Sequence, residues 1–184
     1  MRKLIISIML LFLVVGCSNQ SLGTITKKYI SNDTLFKNNP EASMDVQDTF
    51  QLDTNCTKIT FKTYQYFDDQ WVLDKTEGFV REDQESNMAI AIGKDLNNSN
   101  EYSLYFAANY ESSEKDTESN LMLDISDIEF AYFDSKDSIS IKEETPIYAL
   151  SKDIKDISVS DWKEKLDSDT EGTYIITITL GNNK

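Results

Sequence analysis

Histidine is absent from the 184 residues. That one absence excludes imidazole acid–base catalysis, Ser-His-Asp and Cys-His nucleophile activation, and His-ligated zinc. Arginine occurs only as Arg2 and Arg81, so no guanidinium cluster is available to grip phosphate or carboxylate groups. Basic charge is scarce overall, with 18 Lys+Arg against 32 Asp+Glu and a net charge of −14. Such a field repels DNA, RNA and anionic lipid headgroups, and no nucleic-acid partner is expected. No apolar run is long enough to span a bilayer. The apolar run Leu4 to Val15 would measure about 18 Å as a helix against a hydrocarbon core of about 30 Å.

What that stretch does offer is an export signal. Arg2 and Lys3 precede it, and Val14, Val15, Gly16 and Cys17 close it. These residues resemble the lipobox of bacterial lipoproteins, with Val14 standing where Leu is commoner. The resemblance covers the first seventeen residues. It implies a signal peptide over 1–16, cleavage between Gly16 and Cys17, and a diacylglyceryl group on the Cys17 thiol. The membrane partner is then the lipid itself, because acyl chains on Cys17 hold the protein to the cell membrane on its extracytoplasmic side. Processing removes two bases and no acid, leaving 16 Lys+Arg against 32 Asp+Glu. Cys56 is then the one thiol left, so the domain has no internal disulfide and must rest on its core. With no His or Arg beside it in sequence, Cys56 reads as a buried, inert side chain.

Residues 17–43 are rich in Ser, Thr, Asn and Lys and read as a lipidated polar tether, with a flexible span of about 25–30 Å. Ile25, Tyr29, Ile30, Leu35 and Phe36 are more apolar than a linker needs, so part of the segment is a candidate for packing on the domain. Residues 44–184 form one domain, of a size that buries about two-thirds of its extended-chain surface.

The pattern within that domain is β. Thr57–Phe67 and Trp71–Thr76 flank Asp68-Asp69-Gln70 as a hairpin. Its first arm puts Ile59 and Phe61 on one face but Tyr64 and Tyr66 on the other, which implies a bulge or a strand covered on both faces. Met88, Ile90 and Ile92 alternate with Ala89, Ala91 and Gly93. After a polar turn at Asp95–Asn100, Tyr102, Leu104, Phe106 and Ala108 line the next strand. Further strands are expected at Leu121–Ile125, Ile128–Tyr132, Ile139–Ile141, Ile147–Leu150 and Tyr174–Leu180. Pro146 marks its strand as an edge or a break. Ser158–Leu166 reads as one short helix. With no βαβ alternation, the expected fold is an all-β, antiparallel two-sheet sandwich with one short helix near the C-terminus. A tether ahead of a β-sandwich is similar to the small uncharacterised lipoproteins of Gram-positive bacteria, a family that brings no activity and no catalytic residues with it.

The chemical motifs are weak. Asp167-Ser168-Asp169-Thr170-Glu171-Gly172 begins like a calcium-binding EF-hand loop, but its twelfth place is Ile178 instead of Glu. The plain reading is a turn with Gly172 at positive φ. No metal and no cofactor are expected. Acidic residues are too numerous for any pair to stand out as a glycan-hydrolysing dyad. The aromatics Tyr64, Tyr66, Trp71, Tyr105, Phe133 and Tyr148 sit off the main apolar parity of their strands. Sharing an exposed face, they would stack on sugar rings or grip a peptide; otherwise they complete a second covered face. The expected role is a non-enzymatic binding module for a protein, peptide or glycan. The alternatives are an accessory envelope protein with no ligand and a carboxylate-based glycan hydrolase.

Overall fold

A computed structural model describes residues 21–37, 44–81, 88–96, 102–108, 118–123, 128, 130–133, 138–151, 162–163 and 172–182, with the backbone alone at 95, 118–123 and 130–133. The lipobox, the Ser158–Leu166 segment save Trp162 and Lys163, and Asp167–Glu171 lie outside them.

The described strands are β1 (Gly23–Lys27), β2 (Met44–Thr54), β3 (Lys58–Phe67), β4 (Gln70–Val80), β5 (Met88–Asp95), β6 (Tyr102–Ala108), β7 (Glu118–Leu123), β8 (Phe130–Phe133), β9 (Ser138–Ile141), β10 (Thr145–Ser151) and β11 (Tyr174–Gly181). One helical turn, α1 (Asn32–Leu35), follows β1. The strands form a six-stranded sheet, β7-β6-β5-β2-β1-β9, and a five-stranded sheet, β4-β3-β11-β10-β8. Every pairing is antiparallel, so the chain is an all-β two-sheet sandwich.

The core follows from period-two alternation. Met88, Ile90 and Ile92 on β5 and Leu104 and Phe106 on β6 meet Ile59 and Phe61 on β3 and Ile176 and Ile178 on β11. The two expected hairpins form. In β3–β4 the turn residues Asp68 and Asp69 have φ of 50° and 57°. Two successive left-handed residues are what a type I′ turn requires. The parity switch in β3 coincides with a register shift between Thr63 and Tyr64, which leaves Asp74 as the extra residue on β4. β3 itself alternates without a break, so Tyr64 and Tyr66 lie on its outer face, and the bulge reverses the alternation of β4 so that Trp71 and Leu73 join them there.

The boundary at residue 44 needs correction. β1 comes from the expected tether, and it lies between β2 and β9, paired with both. Beyond it, Ile30, Leu35 and Phe36 cover the outer face of the six-stranded sheet over Ala89, Ala91 and Ala107. The small alanine side chains leave room for the rings of Phe36 and Tyr105, which meet edge-on with centroids 4.8 Å apart. Thr49 fastens this segment, accepting from Ile30 N at 3.1 Å and donating to the Lys28 carbonyl. Ile30, Leu35 and Phe36, more apolar than a linker needs, make this contact from within an otherwise polar segment.

The reading of Pro146 as an edge or a break also changes. β10 is an interior strand between β11 and β8. The ladder to β8 begins only at Tyr148, and the ladder to β11 shifts register between Pro146 and Tyr148. The missing N–H therefore falls at a bulge, outside the β8 ladder, where no donor is needed. Gly172 has a φ of 81°, as expected for the residue that closes the turn before β11.

Candidate functional site

The six singled-out aromatics do not share a face. Tyr148 is fully buried between the sheets, where its ring meets Phe50 edge-on at 6.1 Å. Its hydroxyl donates to Asp48 Oδ2 at 2.7 Å. Asp48 faces inward because the β2 ladder shifts register between Val46 and Asp48. Lys27 pairs with the same carboxylate. Burial above all, then the hydrogen bond and charge of Asp48, push the Tyr148 hydroxyl well above the ordinary tyrosine range. Tyr105 is buried on the outer face of the other sheet, beneath Phe36. Phe133 pairs with Tyr148 through the backbone, and its side chain is outside those described. Neither Tyr105 nor Tyr148 can stack on a ligand, which corrects the expectation of a six-ring platform.

Tyr64, Tyr66 and Trp71 do come together, on the outer face of the five-stranded sheet near the β3–β4 turn. Trp162, which sequence parity placed on a helix, completes the group. Its ring lies 4.9 Å from both Tyr64 and Trp71, and Trp71 lies 5.2 Å from Tyr66. Trp71 Nε1 donates to the Trp162 carbonyl at 2.8 Å. Beneath them are Ala149 and Ile175. Tyr66 is buried, whereas Tyr64 and Trp71 are half-buried.

A polar cluster missed by sequence reasoning adjoins these rings. Glu144 Oε1 accepts from Tyr64 Oη at 2.6 Å and Thr177 Oγ1 at 3.0 Å, and Oε2 pairs with Lys62 Nζ at 3.2 Å. Burial alone raises the Glu144 carboxyl, but the donors Tyr64, Thr177 and Lys62 together outweigh it and hold it below its ordinary value. The Glu144 hydrogen bond raises Lys62 in turn, and burial followed by the same carboxylate raises Tyr64. Each group is thereby held in its resting protonation state. The arrangement stiffens a surface and offers no acid or base poised for proton transfer. Lys62 and Thr177 are visible in sequence as polar residues in strands, but their partner Glu144 comes from another connection, and no local signal links them.

Around this rigid base the apolar side chains open to solvent. Seven large hydrophobics are exposed among the described residues, and four of them, Phe67, Val72, Leu73 and Val80, are on the β3–β4 hairpin. Leu73 lies opposite Tyr64 on the outer face, while Phe67 and Val72 flank the turn. β4 is also the edge of its sheet. Cys56 is buried, with Sγ 3.8 Å from the Leu22 carbonyl. Among the described residues no group of three or more Cys, Asp or Glu side chains is placed to hold a metal ion, and no helix is long and apolar enough to cross a membrane. Comparison with protein-family models, with curated proteins and with solved structures returns no match.

Proposed function

We propose that the chain is a cell-envelope lipoprotein, anchored through Cys17 on the extracytoplasmic side, whose sandwich is a binding module for a protein segment. The observation that carries the binding role is the exposure of Phe67, Val72 and Leu73 around one turn, with Leu73 on the face of the fixed rings of Tyr64, Trp71 and Trp162 and with Phe67 and Val72 on the opposite face of the hairpin. Single exposed apolar side chains are ordinary on a monomer, but a cluster of them around one turn marks a contact surface. Two of the three, Val72 and Leu73, are aliphatic, which suits apolar side chains of a protein better than sugar rings, which stack on open aromatic faces. The absence of histidine and the fully engaged Glu144 favour binding over catalysis.

The test is site-specific photocrosslinking in intact cells. A photoreactive side chain at Leu73 is expected to give a discrete adduct that the same group at Asp53, an exposed position at the other end of the sandwich, does not give. Equal or absent crosslinking at both positions overturns the binding role. The anchor is tested separately, since Cys17→Ala is expected to release a folded domain from the membrane fraction. Retention of that variant overturns the lipid attachment.

A further inference from the structure

The chain is fastened to the fold at Leu22. Leu22 N donates to the Ile141 carbonyl at 2.6 Å, and the Leu22 carbonyl accepts from Thr54 Oγ1 at 2.6 Å. Ser21 Oγ adds a bond to the Gly23 carbonyl at 2.7 Å. Five peptide units separate Cys17 from Leu22, and even fully extended they reach about 18 Å at most. A free tether of residues 17–43 would have let the domain turn in any direction, but this leash does not.

Leu22 also identifies one end of the sandwich. The start of β1 lies against the end of β11, since a Cβ on Gly23 would stand 2.7 Å from Leu180 Cδ1. Thr57 N donates to Asn182 Oδ1 at 3.1 Å, and Arg81 N donates to the Thr57 carbonyl at 2.9 Å. Lys58 pairs with both Gly181 and Val80. The termini of both sheets therefore gather at the Leu22 end, with Leu22 and Val80 as its exposed apolar side chains and Lys142 exposed beside Ile141. The Asp68–Asp69 turn is at the opposite end of β3. From Lys58 to Phe67 the strand rises about 30 Å.

We propose that the Leu22 end of the sandwich rests on the bilayer, with Leu22 and Val80 toward the lipid, and that the β3–β4 turn with Phe67, Val72 and Leu73 points outward. This orientation rests on the lipid anchor proposed above and adds which surface meets the membrane. Charge does not hold that end down. Lys58, Arg81 and Lys142 are offset there by Asp53 and Glu143, and Glu82, Asp83 and Glu85 follow Arg81 in sequence. The short covalent leash sets the orientation, and it does so equally on an uncharged bilayer.

The experiment uses the full lipidated protein in phosphatidylcholine vesicles that carry an energy-transfer acceptor on their headgroups. A donor fluorophore is attached through Lys142→Cys or through Gln70→Cys, in each case with Cys56→Ala. Transfer is expected to be several-fold stronger from position 142 than from position 70. A flexible insert of twenty Gly and Ser residues after Cys17 is expected to remove most of that difference. Equal transfer from the two positions without the insert, or stronger transfer from position 70, overturns the orientation while leaving the anchor intact. Parent protein that stays off the vesicles as Cys17→Ala does overturns the anchor, and the orientation with it.

Discussion

Tyr148 on β10 and Asp48 on β2 join the two sheets through a 2.7 Å hydrogen bond from a fully buried phenol to a carboxylate. The contact exists because two bulges coincide. One in β2 turns Asp48 inward, and one after Pro146 turns Tyr148 to meet it. Tyr148→Phe keeps the ring against Phe50 but leaves Asp48 Oδ2 without its phenol donor. The expected loss is about 1–3 kcal/mol, measured by urea unfolding, with an unchanged m-value. The double variant with Asp48→Ala should lose less than the sum of the singles, because both remove the same bond.

The raised Tyr148 hydroxyl also fixes a direction for alkaline stability. Its proton is held more tightly in the folded state than in the unfolded chain. The stabilisation is therefore complete below the unfolded tyrosine value of about 10 and is lost as pH rises beyond it. Unfolding midpoints recorded from pH 8 to 11 should fall more steeply for the parent than for Tyr148→Phe. Parallel profiles would show that the phenol is not the group responsible.

Glu144 gives the opposite dependence at acid pH. Its folded value lies below the ordinary carboxylate range, so the unfolded chain takes up the proton first. The stabilisation is present above the unfolded value and is lost as pH falls through the folded one. Glu144→Gln should be less stable than the parent at pH 7 and should show a shallower loss of thermal midpoint between pH 6 and 3. The aromatic group beside it supplies a spectroscopic control. Near-ultraviolet circular dichroism from Tyr64, Trp71 and Trp162 should weaken in the variant if the carboxylate positions the Tyr64 ring.

Gly93 on β5 faces the β2 bulge so closely that a Cβ would stand 2.2 Å from the Asp45 carbonyl oxygen and 2.8 Å from Val46 Cα. Backbone cannot yield as a flexible side chain can. Gly93→Ala should therefore destabilise by about 1–3 kcal/mol, the usual cost of overpacking, as read from a chemical-denaturation midpoint. Gly181 meets nothing within 4 Å, and Gly181→Ala is the matched control with little expected change.

How legible these features are in sequence depends on their range. The alternation of Met88, Ile90 and Ile92, the Asp68-Asp69 turn and the parity switch at Tyr64 are local patterns, and each corresponds to an observed element. Strand order is not local. Nothing near Pro146 tells that β10 is flanked by β11 and β8, and nothing near Glu144 tells that Tyr64, Thr177 and Lys62 converge on it. The off-parity aromatics were visible, but parity cannot say whether an outer face is bare or covered. Phe36 covers Tyr105, whereas Leu73 leaves the ground beside Tyr64 open.

The boundary of the folding unit gives the last prediction. Residues 44–184 contain every strand that the hydropathy pattern announces, yet β1 lies outside that range, between β2 and β9. Removing it leaves the β2 edge unpaired along Phe50–Thr54 and cuts β9 from its sheet. It also uncovers Ala89, Ala91 and Tyr105, because Ile30, Leu35 and Phe36 leave with it. Each exposed edge is a template for pairing with another chain. A protein of residues 44–184 should therefore aggregate or lack dispersed amide resonances, whereas one of residues 18–184 should give a dispersed spectrum and a cooperative melt. Adding a peptide of residues 18–43 to the shortened protein should restore part of the dispersion, since the missing strand can pair without being covalently joined. A shortened protein that folds as well as the longer one would return residues 17–43 to the role of a free tether.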